Sequence, residues 1–255
     1  MTRPAEVTEV HTQIVRCTLA VPDARSYWAV PDIGPPAGRA DRAFKDFWFG
    51  ARSHARVAVL LWNLRRRFDA YPEPLAVLRA WPDMDPATRI VICHWHLQLA
   101  DPLYRAFTAD FLATRRDNAK PEVTRAQAIA WVAEQDSGRG VSGRWTMSTR
   151  IEFASKLLSA AAEAGIVGSR IDPRPLRAPR VSDDALRYLL HLLRSVDFDG
   201  TLLENPYLAS VGLTGDALAA RLRALPGVRY ARQGDVVDLA FEHVSLASWF
   251  GARIA

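Results

Sequence analysis

The side chains of this sequence with the clearest chemistry are arginines, and they fall into two clusters. Residues 50–67 hold five arginines and no acid, while residues 137–182 hold eight basic residues against three acidic ones. The whole chain has 33 basic and 28 acidic residues, so both clusters stand out from a nearly neutral background. Because guanidinium groups bind phosphate through paired hydrogen bonds, the clusters predict a nucleic-acid-binding surface. A solvated, arginine-rich helix face is the competing interpretation.

The second cluster surrounds the predicted start of a helix. Residues in the first turn of such a helix can reach base edges or phosphates, and the free N–H groups there favour anions. The predicted nucleic-acid-binding residues at this helix are Arg139, Arg144, Ser148, Thr149, Arg150 and Lys156. Those that follow the helix are Arg170, Arg174, Arg177 and Arg180. The first cluster contributes Arg52, Arg56, Arg65 and Arg66.

Motifs for catalysis or metal binding do not accompany these arginines in the sequence. Gly138–Gly143 matches a dinucleotide-binding glycine motif, but a helix precedes it where that motif needs a strand. Cys93 and His96 share a helix face that His94 does not, and without a second ligand pair they are predicted to be core or helix-surface residues. The three lysines lack the preceding carboxylate of a restriction-type nuclease, and phosphate-loop and serine-elbow motifs are absent. We therefore predict a non-enzymatic protein that needs no cofactor and no metal.

Apolar periodicity and capping signals predict a mainly α-helical fold. A helical N-terminal domain is expected over residues 1–120, with a basic helix near 52–69 whose apolar residues recur at helical spacing. Residues 121–181 and residues 182–255 each follow the order helix, loop, capped helix and small β-pair, which is the order of a winged helix-turn-helix. The predicted fold class is mainly α, with two winged helix-turn-helix-like modules that carry small β-hairpins.

Capping boxes and short strand pieces locate the parts of these two modules. In the first module, Thr124 with Gln127 and Thr149 with Glu152 are predicted to begin the two helices. This module is the better candidate for reading DNA, whereas the second is net acidic and favours protein contacts or structural packing. The predicted strand pieces are 166–167 and 170–171 in the first module, and 228–232 and 235–241 in the second.

Composition excludes several other classes of protein. Two cysteines cannot form a disulfide scaffold or a four-cysteine zinc site, and they favour a reducing compartment. The longest strongly apolar run, Val57–Trp62, is far shorter than the ~20 residues of a membrane helix. The N-terminus has no apolar core of the signal-peptide type. A cytoplasmic protein without membrane contact is expected.

Short motifs also follow one another along nearly the whole chain: Phe49–Ser53, Arg65–Phe68, Trp145–Arg150, Leu157–Leu158, Ala164–Val167, Pro179–Ser182, Leu189–Leu193 and Gln233–Val237. In that order they resemble the BrxA family of bacterial BREX phage-defence systems. The resemblance implies a small accessory protein that binds double-stranded DNA through helix-turn-helix elements, beside a methyltransferase and ATPases. The family's likeness to an RNA-binding antitermination factor leaves RNA open as a ligand, and the resemblance implies no catalytic residues.

Three functional hypotheses follow. The leading one is a binder of double-stranded DNA, with weak or no sequence specificity, that acts in phage defence. The second is an assembly adaptor whose winged helices bind other defence proteins. The third is an operon transcriptional regulator, which would bind one palindromic site as a dimer with half-sites about one helical turn apart.

Overall fold

A computed structural model describes residues 3–30, 34–35, 37–50, 52–81, 83–138, 145–234 and 236–254. The fold is mainly α-helical with two small antiparallel β-pairs, as predicted. The first half of the chain contains a 3-10 turn at Gln13–Val15, α1 (Val21–Ala29), α2 (Arg39–Lys45), α3 (His54–Phe68), α4 (Pro72–Arg79), α5 (Pro86–Ala100), α6 (Pro102–Ala106), a π-helical segment at Phe107–Leu112, and α7 (Ala113–Arg116). The second half contains β1 (Glu122–Val123), α8 (Arg125–Gly138), α9 (Met147–Glu163), β2 (Arg174–Pro175), α10 (Asp183–Arg194), α11 (Pro206–Ser210), α12 (Gly215–Ala224), β3 (Val228–Gln233), β4 (Val236–Phe241) and α13 (Leu246–Ile254).

Helix α3 is the predicted basic helix, and a serine side chain caps its N-terminus. The Ser53 hydroxyl accepts a hydrogen bond from the Arg56 N–H at 3.3 Å and begins the helix. Asp85 and Asp101 cap α5 and α6 in the same way, each before a proline at the first helical position, as predicted. The predicted apolar face of α3 is buried: Val57, Leu60, Leu61, Leu64 and Phe68.

Helix α5 lies in the core, and its last ten residues are all buried. His94 has its ring nitrogens 2.8 Å from the Tyr104 hydroxyl and 2.9 Å from the Ser210 hydroxyl. His96 has one ring nitrogen 2.7 Å from the Tyr188 hydroxyl. Burial lowers the pKa of His94 to about 3 and that of His96 to about 4, so both rings are neutral at physiological pH. These histidines are hydrogen-bonded core residues.

Most of the buried hydrophobic side chains form one continuous cluster that runs through all three predicted segments. Leu158 of α9 and Leu222 of α12 belong to the same cluster as the apolar face of α3. The division into residues 1–120, 121–181 and 182–255 stays a prediction.

The first β-pair differs from the predicted hairpin. Strand β1, which precedes α8, pairs antiparallel with β2, which follows α9. Val167 forms an isolated antiparallel bridge with Leu176. The predicted strand piece 170–171 is therefore wrong, because these residues lie in the turn between the two paired segments. The 166–167 piece does pair, but with a segment further along the chain than expected.

Strand β2 is not recognisable in the sequence because it contains a proline, Pro175. Pro175 has no N–H to donate, but its carbonyl oxygen accepts a hydrogen bond from the Gly168 N–H at 2.8 Å. The next residue, Leu176, donates its N–H to the carbonyl oxygen of Pro121 at 2.7 Å. A short strand that uses only some of its N–H groups tolerates proline at the others.

Two further local predictions are confirmed. Thr124 and Gln127 form a reciprocal capping box at α8, with N–H···O distances of 2.9 and 3.2 Å. Strands β3 and β4 pair antiparallel along their full length, so the second predicted hairpin is present. Helix α13 follows this hairpin and packs the rings of Trp249 and Phe250 against Trp81.

Candidate nucleic-acid interface

Helix α9 has its N-terminal cap three residues earlier than predicted. The Thr146 hydroxyl caps the helix and accepts a hydrogen bond from the Thr149 N–H at 3.3 Å. The predicted Thr149/Glu152 capping box is wrong because Thr149 already lies inside the helix, with its N–H satisfied by Thr146. Ser148 and Thr149 thus belong to the first turn, where their hydroxyls lie 2.8 and 3.0 Å from Oγ1 of Thr146.

Apart from Met147 at its first position, which is 61% accessible, the solvent face of α9 is small and polar. Ser148, Glu152 and Ser159 are exposed, and Ser155 and Lys156 are half-buried. The spacing of four, three and four residues aligns the serines and Glu152 along one side of the helix, while the other side belongs to the core. Hydroxyl and carboxylate groups on such a face can reach base edges in a major groove. Helical periodicity alone would have added Glu152, Ser155 and Ser159 to the predicted set.

Arg150, in the first turn of α9, extends its side chain to α8. Its Nη2 is 2.8 Å from Oδ2 of Asp136, whose side chain is fully buried. The Nε of Arg150 and the Oδ1 of Asp136 are also buried, and neither has a hydrogen-bond partner in the part of the chain that the structure describes. Arg150 therefore joins the two helices, and a phosphate would have to compete with Asp136 for its guanidinium group.

The loop 168–175, between the paired segments after α9, carries two predicted arginines in different settings. Arg170 is exposed and makes no ion pair within the described ranges. Arg174 has its Nε 2.6 Å from Oδ1 of Asp172, and Oδ2 of Asp172 accepts the Arg125 N–H at 2.8 Å. The hydrogen bonds from Arg125 and Arg174 hold the pKa of Asp172 below its usual range. Asp172 is therefore charged and ties the loop to the start of α8.

Arg177 and Arg180 follow this loop, and both side chains are exposed. The Arg177 guanidinium group lies over Gly168, where an added Cβ would come within 2.7 Å of its Nε. Glycine at this position leaves room for the arginine to lie along the loop. Arg170, Arg177 and Arg180 are therefore the predicted cations of this region that present their charge to solvent.

The α3 surface, defined by the exposed arginines of the first cluster, has a different environment. Arg56 donates from Nη1 to the carbonyl oxygen of Arg16 at 3.0 Å. The Arg66 guanidinium carbon lies 4.7 Å from the ring centroid of Trp62, which gives a cation–π contact. The predicted residues on this surface are all exposed: Arg52, Arg56, Arg65 and Arg66.

The last arginine of the run, Arg67, is buried and serves the fold. Its Nη2 donates to the carbonyl oxygen of Cys17 at 2.8 Å, and its Nη1 donates to that of Leu19 at 3.1 Å. Arg65, by contrast, pairs loosely with Asp69 at 3.5 Å on the helix surface. The arginine run therefore divides into exposed cations and one buried connector between α3 and the N-terminal segment.

The N-terminal segment joins α3 to the C-terminal end of α9. Glu163, the last residue of α9, accepts hydrogen bonds from the Thr18 hydroxyl at 2.9 Å and the Ala20 N–H at 3.3 Å. Arg67 of α3 binds this same segment. Helix α9 has 17 residues, so its N-terminal turn lies about 25 Å from this contact at about 1.5 Å per residue. The α3 surface is therefore separate from the first turn of α9. Arg177, whose N–H donates to the carbonyl oxygen of Ile166 at 2.8 Å, follows the C-terminal end of that helix.

Two predicted residues, Arg139 and Arg144, lie outside the described residues, in the stretch 139–144. Among the residues that are described, no three His, Cys, Asp or Glu side chains are grouped closely enough to hold a metal ion. None of the helices in the described part of the chain has the length and apolarity that a membrane span requires.

Most arginines of the C-terminal helices and hairpin form ion pairs with aspartates of the same part of the chain. Arg221 of α12 has its Nη2 2.9 Å from Oδ1 of Asp183. Arg229 of β3 has its Nη2 3.4 Å from Oδ2 of Asp238 on β4. The first residue of β4, next to the turn of the hairpin, is the exposed apolar residue Val236, which is 73% accessible. The predicted protein-contact or packing role of this module stays a prediction.

Comparisons with known proteins place this architecture in a family. The fold resembles the crystal structure of an uncharacterized protein from Magnetospirillum magneticum, with a TM-score of 0.61 and 16% identity. The match covers 74% of this chain and 98% of the other, and at that identity it shows a shared fold alone. Comparison of the sequence with curated proteins finds no match. The family model of BrxA matches residues 39–191, more than half of the chain, and the chain therefore belongs to the BrxA family.

Proposed function

We propose that this protein is a non-enzymatic, double-stranded DNA-binding accessory protein of a BREX phage-defence system. Membership of the BrxA family suggests the BREX association. One observation carries the DNA-binding proposal: the polar solvent face of α9 is followed directly by the exposed Arg170, Arg177 and Arg180. Helix and arginines together offer a groove-reading element beside phosphate-binding groups.

The proposal treats residues 121–181 as a winged helix-turn-helix. The support is the order β1, α8, α9 and a β-paired loop, in which β1 pairs with β2 and Val167 bridges Leu176. In this arrangement the second helix enters the major groove, and the hairpin, or wing, lies along the phosphates. The loop 168–175 would be the wing, and α9 would be the recognition helix.

The chemistry of the proposed interface favours affinity over sequence specificity. Strong base discrimination comes mainly from bidentate contacts by Arg, Lys, Asn or Gln to purine edges. The exposed side of α9 offers Ser148, Ser155 and Glu152 instead, with Lys156 beside them. The exposed arginines after α9 can bind phosphates of any sequence. We therefore expect weakly specific, salt-sensitive binding.

The second candidate function is an assembly adaptor that binds the methyltransferase or ATPases of the same system. It is favoured by the C-terminal hairpin, whose tip exposes Val236 and whose Arg229 is already paired with Asp238. An exposed apolar tip with neutralised charge suits a protein contact better than a phosphate contact.

Fluorescence anisotropy with the purified full chain separates these functions. The ligands are a random-sequence duplex, a duplex from upstream of its own gene, and a duplex RNA, each at low and physiological salt. The DNA-binding proposal predicts similar affinities for both DNA duplexes and weaker binding at higher salt. A regulator would bind the upstream duplex far more tightly, and an RNA binder would prefer the RNA. An adaptor would bind none of them at physiological salt but would co-purify with BREX proteins.

A further inference from the structure

The turn of the proposed wing carries an apolar side chain that nothing in the described chain covers. Ile171 is 80% accessible, and it lies between the exposed Arg170 and the charged Asp172. An exposed isoleucine side chain gains none of the free energy that burial of its apolar surface would provide. A binding partner that buries Ile171 would recover that free energy.

The backbone around Ile171 is held by hydrogen bonds on both sides. The Ile171 N–H donates to Oγ of Ser169 at 3.0 Å. The carboxylate of the next residue, Asp172, accepts hydrogen bonds from the Arg125 N–H and from the Arg174 guanidinium group. The side chain is therefore presented from a turn that is tied to the start of α8, so little backbone ordering is needed when it meets a partner.

We propose that Ile171 inserts as an apolar wedge between base pairs, from the minor groove of the bound duplex. The inference rests on the proposed function, because it places the loop 168–175 along the DNA. Apolar side chains such as isoleucine enter the minor groove in this way, partly unstack one base step and kink the duplex. Arg170, next in the chain and without an ion pair in the described ranges, supplies a positive charge for the phosphates that flank the unstacked step.

A wedge at this position has a consequence for sequence preference. Unstacking costs least at flexible pyrimidine–purine steps such as TA, and most in stiff A-tracts. The protein would therefore favour duplexes with a TA step without making a hydrogen bond to any base. This preference is distinct from any contact that α9 makes in the major groove.

The C-terminal hairpin provides a matched control. Val236 is a comparably exposed β-branched residue, 73% accessible, at the tip of β3 and β4. Its hairpin carries Arg229, which is paired with Asp238 at 3.4 Å. Val236→Ala thus removes a similar aliphatic side chain from a similar turn outside the proposed interface.

The test uses a short duplex with one TA step, labelled at its ends for energy transfer and carrying 2-aminopurine at that step. We expect wild-type protein to shorten the end-to-end distance and to raise the 2-aminopurine fluorescence. Ile171→Ala should lose both signals and bind about tenfold more weakly, with an unchanged salt slope, because it removes apolar burial but no phosphate contact. Ile171→Met, which keeps a large apolar side chain, and Val236→Ala should both behave as wild type.

The outcomes separate the wedge from DNA binding itself. If wild-type protein binds the duplex but Ile171→Ala gives the same bend and fluorescence, or if wild-type protein produces neither signal on binding, the wedge is overturned and DNA binding stands. If wild-type protein does not bind the duplex even at low salt, the proposed function is overturned and the wedge with it.

Discussion

The buried carboxylate of Asp136 in α8 and the guanidinium group of Arg150 in α9 form an ion pair at 2.8 Å. Arg150 stands immediately after Ser148 and Thr149, the first-turn residues of the proposed recognition helix. Because this pair connects the two helices at the end of α9 that would meet DNA, it would orient the proposed interface. Arg150 is thus expected to act on DNA binding mainly through the orientation of α9.

Removal of Arg150 should cost stability. In Arg150→Ala the Asp136 carboxylate stays buried without its cation, so the free energy of unfolding should fall by about 3 kcal/mol. Urea unfolding measures this change, and Arg180→Ala, at an exposed arginine, is the control that should leave stability unchanged. The double variant Asp136→Ala/Arg150→Ala should lose clearly less than the sum of the two single losses. Simple additivity would show that the pair contributes nothing to the fold.

Substitution of the neighbouring residues Arg66 and Arg67 in α3 should lower stability by clearly different amounts. Arg67→Ala removes the hydrogen bonds to the carbonyl oxygens of Cys17 and Leu19 and leaves these groups unpaired in the interior, which should cost about 2 kcal/mol of stability or more. Arg66→Ala removes only an exposed contact with Trp62 and should cost less than about 1 kcal/mol. Thermal and urea unfolding of both variants compare them. Equal losses would contradict the division of this run into surface and core.

Stability should fall as the pH drops from 7 to 5. Burial lowers the pKa of His94 to about 3 and that of His96 to about 4, from 6.5 in the unfolded chain. As the pH falls below 6.5, these two histidines therefore bind protons in the unfolded chain but not in the folded chain. The stability present above pH 6.5 is lost progressively between that pH and the folded pKa values. Each histidine should contribute about 1.4 kcal/mol per pH unit within this window.

Urea unfolding at several pH values measures this loss. A His94→Gln variant should show a shallower dependence, because it titrates one ring fewer. Equal stability of the wild-type protein at pH 7 and pH 5 would mean that these histidines are not buried as neutral rings.

The two arginine surfaces should contribute independently to DNA binding. They lie on different elements, α3 and the segment after α9, so the losses in binding free energy from Arg52→Ala/Arg66→Ala and from Arg170→Ala/Arg177→Ala should add in a quadruple variant. Anisotropy titrations with one long duplex measure all three variants. Wild-type affinity in Arg52→Ala/Arg66→Ala would remove the α3 surface from the interface, while the wing surface would keep its proposed role.

The sequence predicts those parts of the fold that depend on local spacing. The apolar face of α3, the caps at Asp85 and Asp101, and the box of Thr124 with Gln127 all involve residues within a few positions of each other. Such patterns depend on backbone geometry alone, and the structure confirms them. The C-terminal hairpin is predicted for the same reason, since its strands are joined by a short turn at Gly234.

Pairings between distant residues are not visible in the sequence. Val167 bridges Leu176 rather than a residue at 170–171, because hydrogen bonds to Pro121 and Pro175 decide the register. In the same way, nothing in the arginine count distinguishes Arg150, which is paired with a buried acid 14 positions earlier, from Arg170. Only the three-dimensional positions of the acids tell which arginines are left for a phosphate.

The salt dependence of DNA binding tests the central proposal most directly. Arg170→Ala/Arg177→Ala removes two exposed cations beside α9, and Arg229→Ala/Arg232→Ala removes two exposed arginines from the other hairpin as a control. With one random duplex titrated at several salt concentrations, the first pair should weaken binding and flatten the log–log slope by about 1.8, at about 0.9 per phosphate contact. The control should keep the wild-type slope. An unchanged affinity and slope in Arg170→Ala/Arg177→Ala would contradict the proposal that these arginines hold DNA.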